Sequence, residues 1–236
     1  MDDQIERLKN LSAHYNNIEF FTKDPIVFPR LFSERYFRGE ASLQDVEIAG
    51  ILSSHLAWGR REMIFNNCTK MFDEMKWLPV QYIMGGVYRN DPTSLHRTIK
   101  WKDFAGICEN LRTFYSKEKS LENFSPTYIR TLIFGSKPDP NAANKKIHMF
   151  RRWMVRNDGI VDLGVWKKSN PADLIIPLDV HVHRSALELG ITTRKSADLK
   201  TALEITGYLR TIFPSDPCIG DFALFAFAAT TSRKNG

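Results

Sequence analysis

Lys145-Lys146-Ile147-His148-Met149-Phe150-Arg151-Arg152-Trp153-Met154-Val155-Arg156 holds five Lys and Arg residues and no acid. At about 100° per residue, Ile147, Phe150 and Met154 fall on one stripe of a helix. Lys145, His148, Arg152 and Arg156 fall on the opposite one. One face packs and the other is cationic, a pattern that suits a phosphate backbone, because surface helices more often mix their charge signs. The bland reading is a solvated surface stripe.

Helix signals recur on both sides of this segment. Ser42 stands before Leu43, Gln44 and Asp45 and then an apolar-periodic run (Val46, Ala49, Ile51, Leu52, Leu56), which predicts an N-cap and a helix from about 43 to 57. Gly59 breaks it, and a second helix follows through Met63, Phe65, Met71 and Phe72. Ser125-Pro126 is a cap followed by a first-turn proline, opening a helix that Gly135 closes. Ser196 reads as the cap of a segment carrying Leu199, Leu203, Ile205, Tyr208 and Ile212 up to Pro214. Strand signals are few: Ile175-Ile176 is too short to stand alone, and Leu178-Val180-Val182 lies in a stretch with a better helical reading. The expected class is all-α.

At 236 residues the chain is long enough to bury a core as one large domain or as two helical lobes. Hydrophobic residues at 43% and charged residues at 25% exclude disordered and collagen-like classes. No apolar run approaches the roughly 18 residues of a membrane span, and the start MDDQIERLKN lacks the basic-then-apolar order of a secretory signal. A cytoplasmic protein without membrane partners is expected. Cys68, Cys108 and Cys218 are too scattered for a zinc or iron-sulfur spacing, so they read as buried thiols and no cofactor is expected. The net charge of +6 attracts polyanions, of which nucleic acid is the commonest.

A second stretch, Pro177-Leu178-Asp179-Val180-His181-Val182-His183-Arg184, places Asp179 as a helix N-cap whose carboxylate accepts from first-turn N–H groups. One oxygen can cap while the other faces a ligand. A rival reading makes Asp179, His181 and His183 a metal site. That needs a strand, since on a helix the three do not share a face, and no other Cys, His or Glu cluster completes the set. No metal is expected.

The Pro-x-Asp-x-His stretch resembles the helix-hairpin-helix superfamily of DNA glycosylases, in which that aspartate faces the sugar of an extruded nucleotide. Among the 8-oxoguanine glycosylase/lyases a nucleophilic lysine precedes the aspartate, and Lys145, 34 residues before Asp179, is similar to the longer, archaeal spacing. Lys146 competes for the role, and helix geometry leaves the choice open. Gly220-Asp221-Phe222-Ala223-Leu224-Phe225-Ala226 resembles the last helix of these enzymes, which implies that Asp221 accepts from the base edge and Phe225 stacks on it, with Trp58 a further wall of the base pocket. The alternative for that segment is a core-completing helix.

The resemblance is closest over about 137 to 229. Over most of the chain it extends to a family of bacterial proteins sharing Ala57-Trp58-Gly59-Arg60-Arg61, Arg152-Trp153-Met154-Val155-Arg156 and Pro177 to His183, for which no substrate is assigned. It implies a single glycosylase-like unit over 1–236, with two helical lobes of about 1–135 and 136–236 packed about a cleft. The implied partner is double-stranded DNA with an oxidised or otherwise damaged base, contacted through Lys146, Arg151, Arg152, Arg156, His181 and Arg184. The chain departs from the family at the hairpin, where Gly135-Ser136-Lys137-Pro138-Asp139-Pro140-Asn141 replaces a glycine-rich turn. Asn141 is left to cap the following helix and keep an anion site there. Base excision with abasic-site lyase activity is the leading expectation. The alternatives are a non-catalytic DNA- or RNA-binding relative and a nucleosidase-like enzyme, since fold does not fix function.

Overall fold

A computed structural model describes the backbone of residues 2–232 and the side chains of 2–227. As the periodicity predicts, the described chain is mostly helical. The first helices are α1 (Asp2–Tyr15), α2 (Val27–Phe37), α3 (Leu43–Leu56), α4 (Arg61–Glu74) and α5 (Pro79–Gly85). A short antiparallel pair follows, β1 (Ser94–His96) with β2 (Ile99–Lys100), and then α6 (Trp101–Tyr115) and α7 (Pro126–Tyr128). The last four are α8 (Lys145–Val155), α9 (Val180–Glu188), α10 (Leu199–Ile212) and α11 (Ile219–Ser232).

Two compact units divide the chain: Phe21–Pro138, and Met1–Phe20 together with Asp139–Gly236. The sequence suggests a division near 135 with everything before it in one lobe. The structure differs in that α1 packs on α11 and so belongs with the C-terminal half.

In the unit of residues 21–138, α3 is the central element. Its start is a reciprocal capping box: Asp45 N–H donates to Ser42 Oγ at 3.2 Å, and Ser42 N–H donates to Asp45 Oδ2 at 2.9 Å. From Val46 to Ser54 every residue is buried, as a helix covered on all sides requires, with α2, α4 and α5 packed on it. The aromatic rings of Phe28, Phe32, Phe72 and Trp77 fill the space between α2 and the end of α4, with centroids 5.2 Å apart for Phe28–Phe72 and 5.3 Å for Phe72–Trp77.

The exception in this apolar helix is Glu47, which is wholly buried and accepts from Tyr115 Oη–H at 2.8 Å, Ser120 Oγ–H and Leu121 N–H. The carboxylate therefore ties α3 to the end of α6 and the loop beyond it. Removing it leaves two buried donors, on Tyr115 and Leu121, and the half-buried Ser120 hydroxyl without that acceptor, and each buried loss costs about 1 kcal/mol or more. Glu47→Ala is expected to lower the unfolding free energy by about 2–3 kcal/mol in urea titrations, with Glu47→Gln recovering part of it.

The Ser125 cap forms as expected, Tyr128 N–H donating to Ser125 Oγ at 3.2 Å. The helix it opens is short, because after Tyr128 the chain widens into a π turn over Ile129–Ile133 before Gly135 (φ +60°) ends it.

In the other unit, α11 lies between α1 and α9. Gly220, at the start of α11, meets Leu209 of α10 so closely that a Cβ would fall 2.5 Å from Leu209 Cδ2. Two predicted caps are corrected. Asp198, not Ser196, caps α10, accepting from Thr201 N–H at 2.9 Å, while the Ser196 carbonyl accepts from the Thr201 hydroxyl. Asn141 does not cap α8: that helix begins at Lys145 behind Asn144, which is left-handed (φ 45°), and the Asn141 carbonyl instead accepts from Leu199 N–H at 2.8 Å. The loop before α8 is thus pinned to the start of α10.

Candidate functional site

The residues of interest radiate from α8. The expected outward cationic stripe is not there: His148, Arg152 and Arg156 are buried, at 3%, 6% and 1% exposure. The reason is a set of carboxylates from outside the helix. Arg152 donates through Nε to Asp162 at 3.3 Å and through Nη1 to Asp221 at 2.7 Å. Arg156, the residue ending α8, donates to Asp216 at 2.6 Å, to Asp158 at 2.9 Å and to Asp162. Both guanidinium groups also lie over the Phe222 ring, 4.8 and 5.1 Å from its centroid. Their hydrogen-bonding capacity goes to carboxylates, so the expectation of Arg152 and Arg156 as exposed phosphate contacts is corrected.

Burial opposes the charge on both arginines, yet the surrounding aspartates win and hold both above the ordinary guanidinium range. Among the described residues no carboxylate pairs with His148 in this way. Burial, aided by the Arg151 charge, pushes it down to about 4, so it is neutral at physiological pH. Arg151 is half-buried over the Trp166 ring.

At the other end of α8 the structure brings together two residues 34 apart in sequence. Lys145 Nζ lies 3.8 Å from Asp179 Oδ2, both side chains partly exposed. Asp179 caps α9 as predicted, its Oδ1 accepting from His181 N–H and Val182 N–H, each at 2.9 Å. One oxygen is therefore fixed by backbone donors and the other faces an ammonium.

Asp221 stands on the first turn of α11, and α11 packs on α9, where Ser185 Oγ–H donates to the Leu224 carbonyl at 2.7 Å. It is 5% exposed, and its Oδ1 is buried without a hydrogen-bond partner among the described residues. Burial raises its pKa; Arg152 opposes the rise and the Asp179 charge adds to it, leaving the carboxyl at about 6. Asp221 thus senses the Asp179 charge.

Lys146, next to the Lys145–Asp179 pair, is pushed down to about 8 by burial and by the Lys145 charge. A substantial fraction of its amine is neutral at mildly alkaline pH.

The other expected residues scatter. Phe225 is 42% exposed on α11, one turn after Asp221, and Val180, which follows Asp179, is 72% exposed. His181 is exposed on α9 and Arg184 pairs with Glu188 at 3.8 Å. His183 turns inward to the Arg194 carbonyl, Nε2 at 2.8 Å, so Asp179, His181 and His183 do not converge. Trp58 belongs to the other unit, in the loop between α3 and α4, with its ring under the Arg97 guanidinium.

The residues missed from sequence are Asp158, Asp162 and Asp216. The signal available was local: a basic helix without acids is followed within seven residues of Arg156 by two aspartates.

The chain belongs to the family described as Protein of unknown function (DUF2400), whose model matches residues 24–230 and so takes in Lys145, Asp179, Asp221 and Ala57–Arg61 alike. No curated protein and no solved structure matches it.

Among the described residues no helix is long and apolar enough to cross a membrane.

Proposed function

We propose that this protein is a DNA base-excision glycosylase with abasic-site lyase activity, with a helix-hairpin-helix glycosylase-like fold and Lys145 and Asp179 at its catalytic centre. The observation that carries the reading is the 3.8 Å approach of Lys145 Nζ to Asp179 Oδ2 at the facing ends of α8 and α9. Breaking a glycosidic bond builds positive charge on the sugar, and a carboxylate held near C1′ lowers that barrier. The backbone-fixed Asp179 suits the task. A neutral lysine amine attacks C1′ as the base leaves; it loses a proton, the sugar ring opens, and the resulting Schiff base permits strand cleavage. The target base has to leave the helix stack first, and on this reading the exposed Phe225 stacks on it.

The lowered pKa of Lys146 favours a second assignment within the same chemistry, with that amine as nucleophile.

Borohydride trapping on duplexes carrying 8-oxoguanine, uracil or an abasic site tests the reading, with Lys145→Ala and Lys146→Ala beside the wild type. The expected result is a covalent adduct lost in Lys145→Ala. Loss in Lys146→Ala alone moves the nucleophile one residue along. No adduct or strand break on any duplex overturns the enzymatic reading and leaves a nucleic-acid-binding protein.

The pH profile separates the two lysines further. Below about 8 the neutral fraction of Lys146 rises tenfold per pH unit and then levels. A trapping rate that follows this curve in the wild type, and loses it in a Lys146→Ala protein that still forms adduct, identifies Lys146 as a neighbour that tunes the site.

A further inference from the structure

The Ala57–Arg61 stretch has no part in the chemistry above, yet the structure builds something definite around it in the unit of residues 21–138. His96 at the end of β1 is wholly buried and works as a strut: Nε2 lies 3.0 Å from the Trp58 carbonyl and Nδ1 lies 2.9 Å from Asn67 Nδ2 of α4. Its ring also meets the Trp58 ring edge-on at 5.5 Å. The β1–β2 turn, the α3–α4 loop and the first turns of α4 are thereby locked to one another.

On this base Arg97, the left-handed residue (φ 54°) at the β1–β2 turn, lays its guanidinium over the half-buried Trp58 ring, 4.4 Å from its centroid. Gly59 makes room for it. A Cβ there would fall 2.9 Å from Arg97 Nη1 and 2.7 Å from Met63 Cε, and its φ of +109° excludes a side chain in any case.

Beside this platform lies an open groove of about 330 Å³ lined by Arg60, Glu62, Met63, Asn66 and Asn67. Arg60 and Arg97 are exposed, and neither has a carboxylate within ion-pairing distance among the described residues. The contrast with the neutralised Arg152 and Arg156 is sharp. The Arg97 guanidinium held over Trp58, the exposed Arg60 and the Asn66 amide at the groove, beside a single carboxylate, Glu62, make a surface suited to phosphodiester oxygens, which accept from guanidinium and amide N–H groups.

We infer that the Arg60–Arg97 platform and its groove bind the sugar-phosphate backbone of a DNA strand, anchoring the chain where its Ser136–Asn141 turn lacks the glycines of a phosphate-binding hairpin. The inference rests on DNA being the partner; it does not depend on the lysine chemistry.

Fluorescence anisotropy with an undamaged duplex, read as a function of salt, tests it. Each duplex phosphate contact contributes about 0.9 to the slope of log affinity against log salt. Arg60→Gln with Arg97→Gln is expected to lower that slope by about 2 and to weaken binding about tenfold or more near physiological salt. Arg60→Lys with Arg97→Lys is expected to restore the slope, because the charges return. Lys117→Gln with Lys119→Gln, which removes two exposed charges elsewhere on the same unit, is expected to leave it unchanged.

Equal slopes for the wild type and the glutamine pair overturn the platform, whatever the trapping experiment gives. A slope lost in the glutamine pair in a protein that traps on no duplex keeps the platform and removes the lyase.

Discussion

Arg156→Ala is expected to destabilise the protein by about 3–5 kcal/mol, the cost of stripping one partner from a buried ion pair. The wild-type side chain is 1% exposed and engages Asp216, Asp158 and Asp162 through three different nitrogens. Alanine leaves those carboxylates turned toward one another without the cation that neutralises them. Arg156→Lys is expected to recover little, since one ammonium cannot reproduce a planar fork that meets three acceptors.

The loss carries a pH signature with a definite sign. Without the guanidinium, burial and mutual repulsion keep the carboxyls protonated to a higher pH than in the unfolded chain. Folding then takes up protons, so the variant's stability falls as pH rises. Urea unfolding is expected to show a larger gap between variant and wild type at pH 7.5 than at pH 5.5. A variant within 1 kcal/mol of wild type at both would show that these contacts are structurally idle.

How far such a network can be read from sequence depends on where each partner comes from. The all-α class, the start of α3 and the start of α9 were legible because their signals are local: Ser42 and Asp179 cap helices within three residues of themselves. The paired loss of α8's cationic face was not. Helical periodicity assigns residues to stripes but not stripes to solvent, and Arg152 and Arg156 are neutralised in part by Asp216 and Asp221, 60 and 69 residues onward. Ser196 and Asp198 are both good caps two positions apart, so composition could not choose between them. The β1–β2 pair has too few residues to show alternation, and its importance lies in His96, whose partners Trp58 and Asn67 are distant in the chain. At the candidate site, the resemblance to the glycosylases implied Lys145 with Asp179 and left Lys146 as a competitor. The acidity of Asp221 and Lys146 arises from burial, which no spacing encodes.

Asp179→Asn is expected to separate the site's chemistry from its architecture. Asparagine caps a helix about as well as aspartate, so its side-chain oxygen can keep the bonds to His181 N–H and Val182 N–H, and stability is expected to change by less than about 1 kcal/mol. What disappears is the negative charge facing Lys145. If that charge stabilises the sugar cation, base release is expected to fall by about 10²–10³, the range found when one preorganised electrostatic contact to a transition state is removed.

The same substitution has a consequence that a structural role alone would not produce. Asp179's charge helps hold the Asp221 carboxyl at about 6, so removing it moves Asp221 downward, toward the value that burial, Arg152 and Asp162 set. Carboxyl-carbon NMR titration reads this directly. A fall in the Asp221 midpoint together with the drop in base release supports one coupled centre of Lys145, Asp179 and Asp221. An unchanged midpoint would separate Asp221 from that centre, and unchanged base release in a protein that excises a base would remove Asp179 from the mechanism.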